Sequence, residues 1–144
     1  MEQIRLIVQP LRPDMVSVVW PLIKDYLNSA LAQSGFDNRY NIDNLFDDIQ
    51  SNNYLCWVVT EKNVIKAAAI TEIVDHPHGK SVYVFLVGGV EFDLWGDEMQ
   101  KEFVDYAKCL GARWIDALVR PGFGKVLSKK YGYRRVNEMI TMRV

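Results

Sequence analysis

Apolar and polar positions recur with two different periods along this chain, and each change of rhythm marks an element. Ile4 to Val8 alternate and predict a first strand. Arg12-Pro13-Asp14 supplies a turn and an N-cap. It opens a helix that places Met15, Val18, Val19, Leu22, Ile23, Tyr26, Ala30 and Leu31 on one face. Pro21 inside that pattern predicts a kink or a later start, and Gly35 ends the helix. Asn41-Ile42-Asp43-Asn44-Leu45 begins a shorter helix reaching Gln50. Three strand-like runs follow with no helix between them: Tyr54–Thr60, Val64–Val74 and Val82–Val87. Glu61-Lys62-Asn63 and Asp75-His76-Pro77-His78-Gly79-Lys80 are the hairpin turns.

Helical spacing then returns in Met99, Phe103, Tyr106, Ala107 and Leu110, with Gly111 as the residue after the helix. Arg113–Val119 reads as a strand, Gly122–Gly132 contains a short helix closed by Gly132, and Tyr133–Val144 reads as a final strand. The order is β-α-α-β-β-β-α-β-α-β: an α/β chain of the α+β kind, forming a single domain over residues 1–144. The middle hairpins are antiparallel. The β-α-β crossover that follows requires a locally parallel pair, hence a mixed sheet.

Composition narrows the function classes. The chain of 144 residues is 49% hydrophobic and 24% charged with a formal net charge of −1. Such a balance gives no global attraction to nucleic acid or to a membrane surface. No apolar run approaches the ~18 residues of a membrane span, and the N-terminus lacks a secretory pattern, so a cytoplasmic protein is expected. Cys56 and Cys109 read as small buried hydrophobes, without His partners at metal spacing, and no metal is expected. Charge is nevertheless uneven. From Arg113 onward there are eight Lys and Arg (Arg113, Arg120, Lys125, Lys129, Lys130, Arg134, Arg135 and Arg143) against Asp116 and Glu138.

The handover from strand to helix at Val87–Gln100 is the place where many α/β enzymes grip a phosphate. Here it carries Glu91, Asp93, Asp97 and Glu98, with no Lys or Arg between Ser81 and Gln100.

The element order, ending in L-S-K-K-Y-G-Y-R-R-V, resembles the GNAT superfamily of N-acetyltransferases across essentially the whole chain. It is most similar in flavour to GNAT-like proteins of tailed bacteriophages. Those carry similar stretches: L-C-W-V-V, A-I-T-E-I-V, a G-G followed by a Trp, and R-P-G-F before a final G-Y. The resemblance implies acetyl-CoA or another acyl-CoA as co-substrate, held in a V-shaped gap between central strands, and an amine as acceptor. Backbone near Val87, Gly88 and Gly89 would pair with the pantetheine. The pyrophosphate would lie at the start of the following helix, near Trp95 and Gly96, with Arg120 as a possible anion partner.

This chain departs from the family pattern. In place of the glycine-rich Q/R-x-x-G-x-G/A loop it offers Gly96 alone. Asp97 and Gln100 fit a capping box that would occupy the amides a phosphate needs. One carboxylate about 4 Å from a phosphate charge costs on the order of 4 kcal/mol at an effective dielectric near 20. A degenerate phosphate grip is therefore expected, with rescue by cations of the C-terminal third. The family's tyrosine acid, four residues before Gly132, is replaced by Ser128, whose hydroxyl is a poor acid.

Several residues are candidates for chemistry, each with a plainer alternative. Glu72, in an apolar strand, is the candidate general base, or else a solvated carboxylate. Glu91 and Asp93 are alternative bases, or loop charges. Trp95 closes a pocket lip or caps the core, whereas Trp57 and Trp114 are expected in the core. Arg120 neutralises an anion or forms a surface salt bridge. Lys125, Lys129, Lys130, Arg134 and Arg135 bind a CoA phosphate or nucleic acid, or form a solvated face. His76 and His78 belong to a turn.

Two function classes remain open. One is an acyl-CoA-dependent N-acyltransferase. The other is a non-catalytic GNAT-fold component of a phage particle, bound to other phage proteins in the host cytoplasm or the virion. Contact with nucleic acid is a weaker third idea.

Overall fold

A computed structural model describes residues 5–36 and 39–144. Ile4, the first residue of the expected opening strand, lies outside the described residues. The strand that follows it, β1, spans Leu6–Leu11. The remaining elements are α1 (Pro13–Ser34), α2 (Ile42–Gln50), β2 (Leu55–Glu61), β3 (Val64–His76), β4 (Gly79–Gly89), α3 (Phe92–Leu110), β5 (Trp114–Ala117) and α4 (Pro121–Tyr131). The strands form one five-stranded sheet in the order β1-β2-β3-β4-β5. The first three pairings are antiparallel, and β4 pairs with β5 in parallel through the α3 crossover.

Both faces of this sheet are covered, which is why the central strands are apolar at odd and even positions alike. Cys56, Val58, Ala68 and Ile70 pack with Val16, Ile23, Leu27 and Leu31 of α1 and Leu45 and Ile49 of α2. Trp57, Val59, Ala67 and Ala69 pack with Trp95, Met99 and Phe103 of α3 on the other side. Trp57, 1% exposed, donates its indole N–H to Thr71 Oγ1 at 2.9 Å, and Thr71 is likewise 1% exposed. That single bond satisfies the one polar group the indole carries into the core.

Local chemistry fixes the connections. Lys62 and Asn63 both take positive φ (48° and 67°), as a two-residue hairpin turn demands. Asn41 and Asn44 exchange side-chain and backbone bonds of 2.9 and 3.0 Å, a capping box that starts α2. Gly35, Gly111 and Gly132 end α1, α3 and α4 in the left-handed conformation.

Within the expected Arg12-Pro13-Asp14 turn, Arg12 is the N-cap of α1, because Pro13 with its fixed φ takes the first helical position. Four expectations need correction. Val18 and Leu22 point outward (70% and 64% exposed), since the face of α1 that meets the sheet is set by Val16, Ile23, Leu27 and Leu31. Trp114 is half-exposed on the edge strand β5, in edge contact with His76 and under the Arg113 guanidinium. Cys109 lies on the exposed side of α3, whereas Cys56 is buried and its thiol pKa is pushed up to about 12 by that burial.

The fourth concerns the last segment. Tyr133–Val144 forms no strand. Alternation makes a strand only where a neighbour and a buried face receive it, and Val136, Ile140 and Met142 remain exposed here. The segment is held instead by side chains: Arg39 donates to Thr141 Oγ1 at 2.6 Å, and Tyr133 donates to Gln100 Oε1 at 2.8 Å.

The Trp57–Thr71 bond gives a test of the core. Thr71→Val keeps the shape but strands the indole N–H, so stability in denaturant should fall by about 1–3 kcal/mol with an unchanged m-value. Adding Trp57→Phe to that variant should cost less than the two single changes together.

Candidate active site

The ladder between β4 and β5 is short. It runs from Ser81↔Trp114 to Val84↔Ala117, after which the Leu118 N–H makes one last bond to Val84 O at 3.2 Å. β4 continues to Gly89 while β5 stops, so Phe85–Gly89 border an opening on that edge. A bulge falls at the same place. Ile70 pairs with Leu86 but Thr71 pairs with Val84, leaving Phe85 as the extra residue on β4. Bulges bend a strand and re-aim its side chains. Here Phe85 and Leu86 both join the core on the α1 and α2 side, while Val84 joins the other.

The opening is a cleft of about 1220 Å³. Its floor is Val84–Val87 and Gly89 of β4, and Ile115–Ala117 of β5 form the opposite lip. One wall is the C-terminal end of α1; the other is α4 and the segment after it. That second wall brings Arg120, Lys125, Lys129, Arg134 and Arg135 to the cleft, against Asp116 and Glu138. Cations dispersed over the last quarter of the sequence thus converge on one cavity.

The acidic handover behaves differently from the expectation. α3 begins at Phe92, so Gly96 and Asp97 lie inside the helix, and the expected Asp97–Gln100 capping box does not form. The helix starts early because Phe92 and Trp95 extend the apolar stripe of Met99 and Phe103 upstream. Gln100 Oε1 instead accepts from Tyr133 Oη at 2.8 Å. Asp97 accepts from Tyr131 Oη at 2.6 Å and lies 3.9 Å from Lys130 Nζ. Glu91 is the N-cap, held left-handed at φ 60° and ψ 46°, and its carboxylate turns to Lys66 Nζ at 2.9 Å. Lys66 is itself the extra residue of the bulge between β2 and β3, and its carbonyl accepts from the Val90 N–H at 3.0 Å.

Gly88 and Gly89 are required by close approach. A Cβ on Gly88 would collide with the Tyr26 carbonyl of α1, and one on Gly89 with Ala67 and the Lys66 carbonyl. Gly96 lets the Phe92 ring lie against the helix, where a Cβ would approach it to 2.7 Å. Trp95 is buried, its indole N–H donating to Val90 O at 2.7 Å, and it both fills the core and lines the cleft from beneath. Ser128 is exposed on α4 and lines the cleft, as do Arg120 and Val87. Glu91, Asp93, Asp97 and Glu98 are not among the cleft's lining residues.

Sequence reasoning missed a second cavity of about 200 Å³ on the other side of Phe85. Glu72 lines it, half-buried, with Tyr40, Tyr54 and Tyr83. Glu72 pairs with Tyr83 across β3 and β4. Phe36, Phe85 and Met139 border both cavities, so the two meet at the bulge. Burial, then the neighbouring Tyr40 and the Glu72 carboxylate, push the Tyr54 phenol up to about 12. Burial and Glu72 raise Tyr83 as well.

With this geometry in hand, comparison with known proteins is informative at the level of fold. The sequence matches no protein-family model and no curated protein. Solved structures do match. An aminoglycoside N-acetyltransferase in complex with CoA superposes with a TM-score of 0.73 at 10% identity, over 99% of this chain and 97% of that one. This chain has the GNAT fold. A predicted acetyltransferase of Clostridium acetobutylicum with acetyl-CoA gives 0.69 at 17% identity, over 96% of each chain. A GCN5-related N-acetyltransferase of Ralstonia eutropha JMP134 gives 0.69 at 16% identity, over 96% and 99%.

The raised phenols carry a pH signature. Tyr54 moves from its usual 10 in the unfolded chain to about 12 in the folded one. The folded state therefore disfavours tyrosinate, and the stability this confers is complete below pH 10 and lost as pH rises towards 12. Tyr54→Phe should flatten that alkaline loss and remove one late-ionising phenol from the tyrosinate absorbance titration.

Proposed function

We propose that this protein transfers an acyl group from a CoA thioester to an amine. The observation that carries this is the coincidence of three features at Phe85. They are the parted β4–β5 edge, a large cleft with a basic wall, and a separate cavity bearing the Glu72 carboxylate.

The residues present fit a polyanionic thioester. Past the end of β5, the edge of Phe85–Gly89 that faces away from β3 offers a strand edge to an amide-bearing arm such as pantetheine. Arg120, Lys125, Lys129, Arg134 and Arg135 would take the phosphates. This differs from a grip on the α3 N-terminus, where Asp93 stands in the first turn. Because Glu91 is paired with Lys66 and Asp97 with Tyr131, two of the four acids that would repel a diphosphate are already engaged. Glu72 is the proton acceptor in this scheme, and backbone N–H groups of the β4 edge polarise the thioester carbonyl. Ser128 is too weak an acid to protonate a thiolate, which leaves as the anion among the cationic side chains of the wall.

A second reading keeps the scaffold and drops the chemistry: a binding or assembly component, as the phage-like stretches suggest. The acidic first turn of α3 favours it, since it departs from the family's glycine-rich phosphate loop.

Melting with and without CoA separates the two. At a hundredfold excess over Kd, CoA should stabilise by about 2.7 kcal/mol, a rise of roughly 5–10 °C for a chain of this size. Lys125→Gln with Lys129→Gln should weaken that binding and its salt dependence. Glu72→Gln should keep the shift and lower kcat by about 10²-fold or more. Absence of any shift at millimolar CoA supports the assembly reading.

A further inference from the structure

The smaller cavity has its own chemistry. Phe85, placed there by the bulge, meets Tyr40 edge-on at 5.5 Å, stacks with Tyr54 at 5.8 Å and faces Tyr83 at 6.3 Å between ring centroids. Aromatic faces carry negative potential, and among the described residues the carboxylate on the lining is that of Glu72. Arg39 also borders the space, but it is exposed to solvent. The guanidinium lies 4.9 Å over the Phe36 ring and donates to Thr141 at 2.6 Å. The interior thus offers stacked rings, the Glu72 carboxylate, and the Tyr54 and Tyr83 phenols that burial keeps protonated. An anionic guest is repelled, a neutral one gains little, and a cation gains from both the rings and the carboxylate. At about 200 Å³ the space is smaller than the ~300–1,000 Å³ typical of sites for drug-sized ligands. A polyhydroxylated, multi-ring amine does not fit inside it.

We propose that this cavity is the acceptor subsite, and that the acceptor is a small organic ammonium ion seated among Tyr40, Tyr54 and Tyr83 and paired with Glu72. The assignment rests on the acyltransferase reading and gives it a substrate class. The cavity's shared border with the cleft at Phe85 brings the bound nitrogen next to a thioester in the cleft. Glu72 takes one proton from the ammonium. The freed lone pair forms a bond to the acyl carbon, the carbon–sulfur bond breaks, and its electron pair leaves on sulfur. The nitrogen's second surplus proton neutralises that thiolate, and the proton on Glu72 returns to solvent.

Calorimetric titration of the full chain, without acyl-CoA, tests the cage with n-butylammonium and its neutral counterpart 1-butanol. Butylammonium should bind at least tenfold more tightly than butanol. Glu72→Gln and Tyr54→Leu should each weaken it about tenfold, while the CoA melting shift of Glu72→Gln stays at its wild-type value. Equal affinity for the two probes, no binding of either, or undiminished butylammonium binding in Glu72→Gln overturns the proposal. A CoA shift without ammonium binding overturns the cage alone. Ammonium binding without any CoA shift overturns the acyltransferase reading beneath it.

Discussion

Parallel pairing between β4 and β5 ends at Val84 and Ala117, and the residue that follows on β4 is the unpaired Phe85 of a bulge. A strand with one extra residue cannot keep a flat ladder on both sides, so it bends away from its shorter neighbour. The parting is made possible by the antiparallel side of the sheet, where β3 stays with β4 as far as the Ala67↔Gly89 pair. β4 is thus firmly held along one edge and free along the other. The cleft, the exposed strand edge and the aromatic cavity all lie within a few residues of that break.

Charge follows the same geometry. The sequence places four acids where a phosphate would be sought and scatters its cations over the C-terminal third. Folding sorts them. Glu91 turns to Lys66, Asp97 to Tyr131 and Lys130, and the cleft keeps Arg120, Lys125, Lys129, Arg134 and Arg135 against Asp116 and Glu138. A net charge of −1 hides this segregation completely. Local sign, rather than the total, decides which ligands a cavity admits.

Much of the fold was legible in the residues. Hairpin turns, the glycines that close helices, the Asn41 box and the change from period two to period 3.6 gave the element order up to α4. Boundaries that depend on tertiary contact were not legible. α3 starts at Phe92 because two aromatic rings find a place under the cleft, a gain no local capping signal reports. The wide apolar set of α1 exceeds what one sheet face can cover, so Val18 and Leu22 turn outward. Tyr133–Val144 has the alternation of a strand and no neighbour to pair with. Of the residues that line the two cavities, Glu72, Val87 and Gly89 were visible in the sequence as candidates. The tyrosine cage was not, because Tyr40, Tyr54 and Tyr83 come from three separated segments and only the bulge at Phe85 gathers them.

The basic wall differs in kind from the floor it faces. Leu127 is the one buried residue of α4, while β3 and β4 contribute most of the sheet's core. Segments with so little apolar anchoring open at small free-energy cost, far below that of global unfolding. The element that gathers the charge is also the one held most lightly to the body. Whatever anion gathers those cations therefore also tightens α4 onto the sheet, and part of its binding energy is spent on stiffening protein rather than on affinity.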